Sequence, residues 1–567
     1  MTQPQDINPL TLSVVRHKLQ AIAEEMAETM THTCFSPILN QNQDFSTVIA
    51  DADGSTIAQA ERVPIHMGAM SWALKEMLRR FGDDLRPGDI VIANDPFAGG
   101  SHLPDITMSK PVFCDGKLCL WVSIRAHQGD IGGISAGGYS PAAREIWHEG
   151  LRISPVRLVR RDEVQHDILD FIALNSRKPG DLKGDILAQI AAVNIGAQRL
   201  ASLLAHYGAD EIGRCVTGIL DAGERGLRAM LQRCTQGVFE GMSYLENEGG
   251  EGWLPLPVTV EIRDGQASVD LTRCPDQVTN FLNSPIANTR AAVNVAFLYL
   301  CDDEQQLNDG SARAITLHTR KGSLVDPVEP APVAACTSLT ASAIIEAVLQ
   351  AMALSLPGNV LAGFARRFRF AIASQDAGGD AFIWHSFYNR GGAGANAHYD
   401  GWPNLGGIHN PGGTPSPGIE RTEATYPLRI EEYSLRQDSC GAGEQRGGLG
   451  GKIVIHYLGN QRGVVNVAGA GTDVLPYGLM DGHAAAGHVC VIERAGGERL
   501  TLSGRESGIA IDSGDRLVCL SAGGGGYGNP AKRAPWRIEA DIANGYISPA
   551  HALANYGYGD KQDAPPA

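Results

Sequence analysis

The stretch Asn94-Asp-Pro-Phe-Ala-Gly-Gly-Ser-His-Leu-Pro-Asp105, read together with Ala126-His-Gln-Gly-Asp-Ile-Gly-Gly133, decides how this chain is built. Each segment leaves an apolar, strand-like run: residues 89–94 before the first and 118–126 before the second. The runs 110–113 and 118–126 flank Asp115-Gly116, and an Asp-Gly pair between two such runs signals a tight hairpin. That hairpin returns His127 towards His102. Two imidazoles and the carboxylate of Asp105 then suit the first shell of one divalent metal, with Zn, Mn and Fe the fitting ions. Gly99-Gly100 permits close backbone approach and Pro104 stiffens the loop, so the side chains can converge. A fourth ligand is water or protein; Asp44, in a similar strand-start position, is the best protein candidate. Asp130 is placed to orient a ligand imidazole or to accept a proton. The same residues also suit hydrogen-bonded histidines and turn-capping aspartates, and spacing alone leaves both readings open.

Outward from this centre, residues 10–31 carry apolar positions at helical spacing, including Leu10, Val14, Leu19, Ile22, Met26 and Met30. A strand from Asp44 runs into a turn at Asp53-Gly54, and residues 67–81 read as a second helix. Residues 181–236 are helical by periodicity, and strands over 258–269 turn at Asp264-Gly265. Helices are expected over 289–300 and 339–355. From about Gly358 the chain is glycine-rich with short alternating strands over 451–458, 463–468, 488–492 and 516–520. The fold class is α+β, multidomain, with mixed helices and antiparallel sheets. The expected division is a metal-site region (1–180), a helical and mixed middle (181–356), a glycine-rich β-dominated part (357–555) and a polar, Pro-containing tail (556–567) without fixed structure.

Composition limits function. A chain of 567 residues exceeds the size at which one core stops growing. Its formal charge of −16, with no clustered Lys and Arg, argues against nucleic acid as a partner. No basic segment leads into an apolar run at the N-terminus, and the apolar stretches 291–300 and 341–356 are short for a bilayer, so neither leader nor membrane span is expected. Eleven cysteines without CxxC pairs fit reduced thiols in a cytoplasm. Cys440 lacks an adjacent basic group and reads as inert. His398 and His409 fall in the Gly/Pro-rich segment 391–417, which reads as a surface loop.

The central motif resembles the hydantoinase B/oxoprolinase family. The likeness continues through Pro64-Ile-His-Met-Gly68, Glu145-Ile-Trp-His-Glu-Gly150, Asn283-Ser-Pro-Ile-Ala-Asn-Thr289, Gly441-Ala-Gly-Glu-Gln-Arg-Gly-Gly-Leu-Gly450 and Gly523-Gly-Gly-Gly-Tyr-Gly-Asn-Pro530, nearly the whole chain. The resemblance implies a divalent metal on His102, Asp105 and His127, with Asp44 of the Asp-Phe-Ser motif a further ligand. It implies a hetero-oligomer with a hydantoinase A-type ATPase subunit, which holds ATP and Mg and phosphorylates a small cyclic amide such as a hydantoin, 5-oxoproline or a lactam. This chain would then hydrolyse the activated amide, with His66 and Asp130 moving protons or orienting ligands; a core-facing His66 is the competing reading. The same resemblance admits a subunit of an ATP-dependent ketone carboxylase of the acetone or acetophenone type, and a non-catalytic scaffold. Gly523 to Gly526 lacks the Gly-Lys-Ser/Thr ending of a phosphate loop and reads as structural, in agreement with ATP on the partner. One departure stands out: Gln41 occupies a position where the family carries an acid, and an amide cannot take a proton at neutral pH.

Overall fold

The computed structural model describes residues 7–60, 62–247, 252–301, 308–410 and 414–559. The chain forms two compact units: Met1–Ile134 with Ala143–Glu240 and Val258–Thr337, and Ser135–Ala142 with Gly241–Pro257 and Ser338–Ala567.

In the first unit, helix α1 (Pro9–Thr33) is capped by the Asn8 side chain, which accepts from the Leu10 amide. It buries Val15, Leu19, Ile22, Ala23, Met26 and Met30, one apolar stripe at helical spacing. A short turn α2 (Pro37–Asn40) leads into β1 (Phe45–Asp51) and β2 (Thr56–Ala60), and α3 (Pro64–Met67) and α4 (Met70–Phe81) follow. Strands β3 (Ile90–Ala93), β4 (Asp105–Cys114), β5 (Lys117–His127), β6 (Val156–Arg160) and β7 (Glu163–Val164) complete a seven-stranded sheet of order β2-β1-β5-β4-β3-β6-β7. Every neighbouring pair is antiparallel.

Both faces of this sheet are covered. After α5 (His166–Ala173), the long helix α6 (Pro179–Tyr207) lies against α1, β4 and β5. On the other face Leu74 and Met77 of α4 meet Ala50, Val91, Ala93 and Trp121. Hence the strands read as apolar runs rather than as the half-polar alternation of a sheet with one wet face. By length and composition α6 is apolar enough to cross a membrane, which the sequence reading did not register; 56% of its most apolar window is buried inside the fold. Helix α7 (Ala209–Arg233) follows. A second sheet of order β11-β10-β9-β8 comprises β8 (Gly237–Glu246), β9 (Trp253–Arg263), β10 (Gln266–Asp270) and β11 (Ile315–His318). Helix α8 (Ile286–Leu298) lies between β10 and β11 in the chain.

The second unit holds α9 (Ala341–Met352), β12 (Phe368–Gln375), β13 (Ala381–His385), α10 (Ile419–Thr425), β14 (Leu428–Leu435), β15 (Gly451–Tyr457), β16 (Gly463–Gly469), β17 (Val489–Glu493), β18 (Arg499–Leu502), β19 (Ile509–Ile511), β20 (Arg516–Leu520), α11 (Pro535–Ala543) and α12 (Pro549–Tyr556). Two sheets, β13-β12-β16-β19 and β14-β15-β20-β17-β18, share a core of Phe368, Phe370, Trp384, Tyr457, Val465 and Leu517. Beside them the glycine-rich segments run as extended chains bonded to one another: the Gly448 amide donates to Ala393, that of Gly524 to Gly448, and that of Gly525 to Gly363. A Cβ on Gly524 would overlap the Ala393 carbonyl, so glycine is required there for close approach. The segment expected as a surface loop is therefore partly interior: Ala393 and His409 are buried, while His398 is exposed. Of the expected unstructured tail, Tyr556 closes α12, and residues 560–567 lie outside the described residues.

Candidate metal centre

The centre is assembled by sheet register. Asp115 and Gly116 sit at φ +51° and +75°, the two left-handed residues of a tight hairpin turn, and they join β4 to β5. Near the turn Cys114 pairs with Lys117; a register shift between Val112 and Phe113 then makes Asp105 the direct partner of His127. On the other side of β5, Phe45 pairs with Ala126 and the His127 amide donates to the Asp44 carbonyl at 2.9 Å. Asp44, His127 and Asp105 therefore form one row across three adjacent strands, and cross-strand partners project to the same face. His102 arrives from the loop after β3. Asn94 anchors that loop, its Nδ2 donating to the carbonyls of Leu103 (2.7 Å) and Leu151 (2.9 Å). Gly99, at φ +87°, lies so close to the Trp72 backbone that no side chain fits.

His102, Asp105 and His127 are all buried, and one ligand atom from each lies within 4.8 Å of the others. His102 Nε2 is 2.9 Å from Asp105 Oδ1 and 3.1 Å from His127 Nδ1, and His127 Nδ1 is 3.1 Å from Asp105 Oδ1. His102 Nδ1 lies 2.7 Å from the Ala334 carbonyl, which can only accept, so Nδ1 carries the proton and Nε2 turns its lone pair to the other two groups. Acceptors facing one another at such distances need a positive charge between them, whether a proton or a cation. The donor set fits a divalent ion on this test, and two imidazoles with carboxylate suit Zn, Mn or Fe.

The electrostatics agree with a site built for positive charge. Burial alone would lower the pKa of His102, but the Asp105 carboxylate more than offsets it and the net direction is upward. Burial would raise Asp105, yet His102 and His66 hold it well below the usual carboxylate range. His66, on α3, places Nε2 3.5 Å from Asp105 Oδ2 and 3.9 Å from Asp44 Oδ1; burial pushes its pKa down. Its Nδ1 is buried without a hydrogen-bond partner. Asp44 is the half-open member, with 17% of its side chain exposed.

The Asp130 carboxylate accepts from the Gly132 and Arg177 amides and pairs with the Arg177 guanidinium at 2.9 Å. These bonds fasten the loop after β5 to the start of α6. Gln41 closes α2, its amide donating to the Pro37 carbonyl. Two neighbours of the centre escaped the sequence reading. Ser101 donates to Asp105 Oδ2 at 2.5 Å. Arg125 is fully buried, bonds Thr107 and the carbonyls of His66, Ala69 and Gly99, and is pushed down to about 10 by burial. The available signal for Arg125 was a lone cation inside an apolar strand.

Comparison with known proteins follows the same lines. The family model for Hydantoinase B/oxoprolinase matches residues 8–530. The beta chain of the caprolactamase of Pseudomonas jessenii is 34% identical over 97% of this chain and 96% of its own length. The crystal structure of the ATP-dependent caprolactamase from that organism superposes with a TM-score of 0.91 at 31% identity, covering 98% of this chain and 96% of that one. The B-type component of a putative D-/L-hydantoinase from Pseudomonas sp. (strain NS671) is 27% identical over 98% of this chain and 96% of its own. A nucleotide-free acetone carboxylase structure shares the fold, with a TM-score of 0.91 at 20% identity over 97% of this chain and 79% of that one.

Proposed function

The chain belongs to the hydantoinase B/oxoprolinase family, and from that premise we propose that it is the metal-dependent subunit of an ATP-dependent amidohydrolase acting on a cyclic amide. The substrate class is a hydantoin, 5-oxoproline or a lactam. A partner ATPase of the A type phosphorylates the amide oxygen, since an unactivated amide is a poor electrophile. The observation that carries the reading is the buried convergence of His102, Asp105 and His127 beside the half-open Asp44. When bound, a divalent ion there supplies Lewis-acid chemistry, lowering the pKa of water and steadying developing negative charge.

The chain's own residues divide the work. His102, Asp105 and His127 hold the ion, with the Ala334 carbonyl and Ser101 aiming two of them. Asp44, exposed in part, completes the ligand set in this reading. His66 is the residue placed to relay a proton beside the centre: its Nε2 lies 3.9 Å from Asp44 and 3.5 Å from Asp105. Asp130 keeps the loop after His127 in place through Arg177.

The test is the chain co-purified with its A-type partner. ATP consumption stimulated by cyclic amides without added bicarbonate, with release of the ring-opened acid, is expected. Strict dependence on bicarbonate and a ketone would instead establish the carboxylase reading, which the shared fold of acetone carboxylase keeps in play. Full turnover in a His102→Ala complex would leave only a scaffold.

A further inference from the structure

Two motifs of the sequence, Glu145 to Gly150 and Asn283 to Thr289, contribute no ligand to the centre, yet both end on the same short segment, residues 332–336. Glu149 closes a short turn (Ile146–Glu149) and is buried, 3% exposed. Its two carboxylate oxygens accept separately, Oε2 from the Val333 amide at 3.0 Å and Oε1 from the Ala334 amide at 2.8 Å. The same Ala334 offers the carbonyl that receives the Nδ1 proton of His102 at 2.7 Å. From the other direction, the Ala335 amide donates to the Phe281 carbonyl at 3.0 Å. Asn283 Nδ2 donates to the Pro332 carbonyl at 2.9 Å, and Asn288 Nδ2 to the Cys336 carbonyl at 3.0 Å. Leu103, Ile131, Ile146 and Val333 enclose the arrangement in apolar side chains.

We propose that Glu149 is a positioning residue of the metal centre: by gripping the Val333 and Ala334 amides it sets the Ala334 carbonyl, which fixes the tautomer and the aim of His102. A carboxylate is required because two amides must be satisfied. A glutamine offers one accepting oxygen and opposes the other amide with an N–H, orphaning a buried donor. Burying an acid at 3% exposure is unfavourable by itself. Such a cost is tolerated where the group organises something else. Partners that orient a ligating histidine typically govern about 10- to 100-fold of metal affinity.

The inference rests on the metal-dependent reading of the site, and the experiment separates the two. Full-length metal-free chain is titrated with Zn2+ against a chromophoric chelator, and separately with Co2+ while its ligand-field bands are recorded; melting of the metal-free chain is measured in parallel. Wild type is expected to take up one ion per chain at the centre, and His102→Ala to lose it. Glu149→Ala is expected to bind Zn2+ about 10- to 100-fold more weakly with altered Co2+ bands. Glu149→Gln, which keeps one of the two bonds, is expected to lose only about fivefold, and it carries the test if the alanine variant does not fold. Wild-type affinity and unchanged Co2+ bands in the folded Glu149 variants, even with a lowered melting temperature, overturn the inference and leave the metal site standing. A wild-type chain that takes up no divalent ion overturns the metal-dependent reading itself, and the inference with it.

Discussion

At the residue scale, the centre is a matter of lone pairs that share one small volume. His102 presents Nε2 because the Ala334 carbonyl holds its Nδ1 proton, and Asp105 is steadied by Ser101. Loss of a ligand should therefore be far costlier than loss of a neighbour. His102→Ala is expected to take bound metal from one per chain to none by elemental analysis. It should lower amide-dependent ATP turnover of the complex by more than about 100-fold, beyond what supporting residues alone control. His66→Asn tests proton transfer separately: the metal content should persist while turnover falls by about 100-fold or more. Metal lost in step with turnover would make His66 a ligand-supporting residue instead. Of these residues, the convergence of His102, Asp105 and His127 is legible in the sequence because each stands beside glycine, proline or a strand-forming run, whereas His66 is singled out only by the family resemblance. Ser101 and Arg125 are not legible, since a serine in a loop and an arginine in a strand have many ordinary uses. Glu149 stood inside a quoted motif, but nothing local connects it to a carbonyl 185 positions further on.

At the element scale, turns and close approaches separate two uses of glycine. Gly116 stands in open space at φ +75°, so Gly116→Ala loses only the conformational preference, about 1–2 kcal/mol, and a folded chain with a slightly lower melting temperature is expected. Gly524 is packed backbone to backbone, and Gly524→Ala is expected to prevent folding of the second unit, seen as loss of soluble protein or of its proteolytic resistance. The first type of glycine is legible from the Asp-Gly pair; of the second, Gly523 to Gly526 reads as structural from its sequence, whereas the glycines of 391–417 read as a surface loop, because glycine-rich sequence looks alike in both. The junction of α1, α2 and α6 adds a pH-dependent element. Asp185 on α6 accepts from the Phe35 and Ser36 amides through one oxygen, and burial pushes its carboxyl up to about 6 despite those bonds. Its pKa in the folded chain thus lies above the unfolded value of about 3.9. The associated stability is full below about pH 4 and is lost as pH rises through about 6. Asp185→Asn keeps the accepting oxygen and should flatten this component. Denaturant unfolding at pH 4 and pH 7 is expected to show the variant gaining on wild type at the higher pH; an equal difference at both would refute the assignment.

At the scale of the whole molecule, the centre lies within the first unit, and the residues proposed as its ligands span a sequence that only a folded sheet can bring together. A bound ion should therefore stabilise the folded chain by mass action, about 2.7 kcal/mol when free metal is a hundredfold above its dissociation constant. Chelator is expected to lower the melting temperature of the metal-loaded chain and zinc to restore it; a melting profile indifferent to both would contradict a metal here. The amino-acid order carries what is local: helices with an apolar stripe, hairpins marked by Asp-Gly, an α+β composition, and the ordered motifs that identify the family. Register and distance belong to the folded chain. Through most of β4 and β5 the partners sum one higher than at the turn, because an extra residue enters between the pairs Phe113–Leu118 and Val112–Leu120. Without that single shift His127 would face Pro104 rather than Asp105, since a slip of one residue turns every side chain to the other face. No local pattern announces such a bulge; it is settled by the packing of helices on both faces of the sheet, which rewards one register over its neighbour.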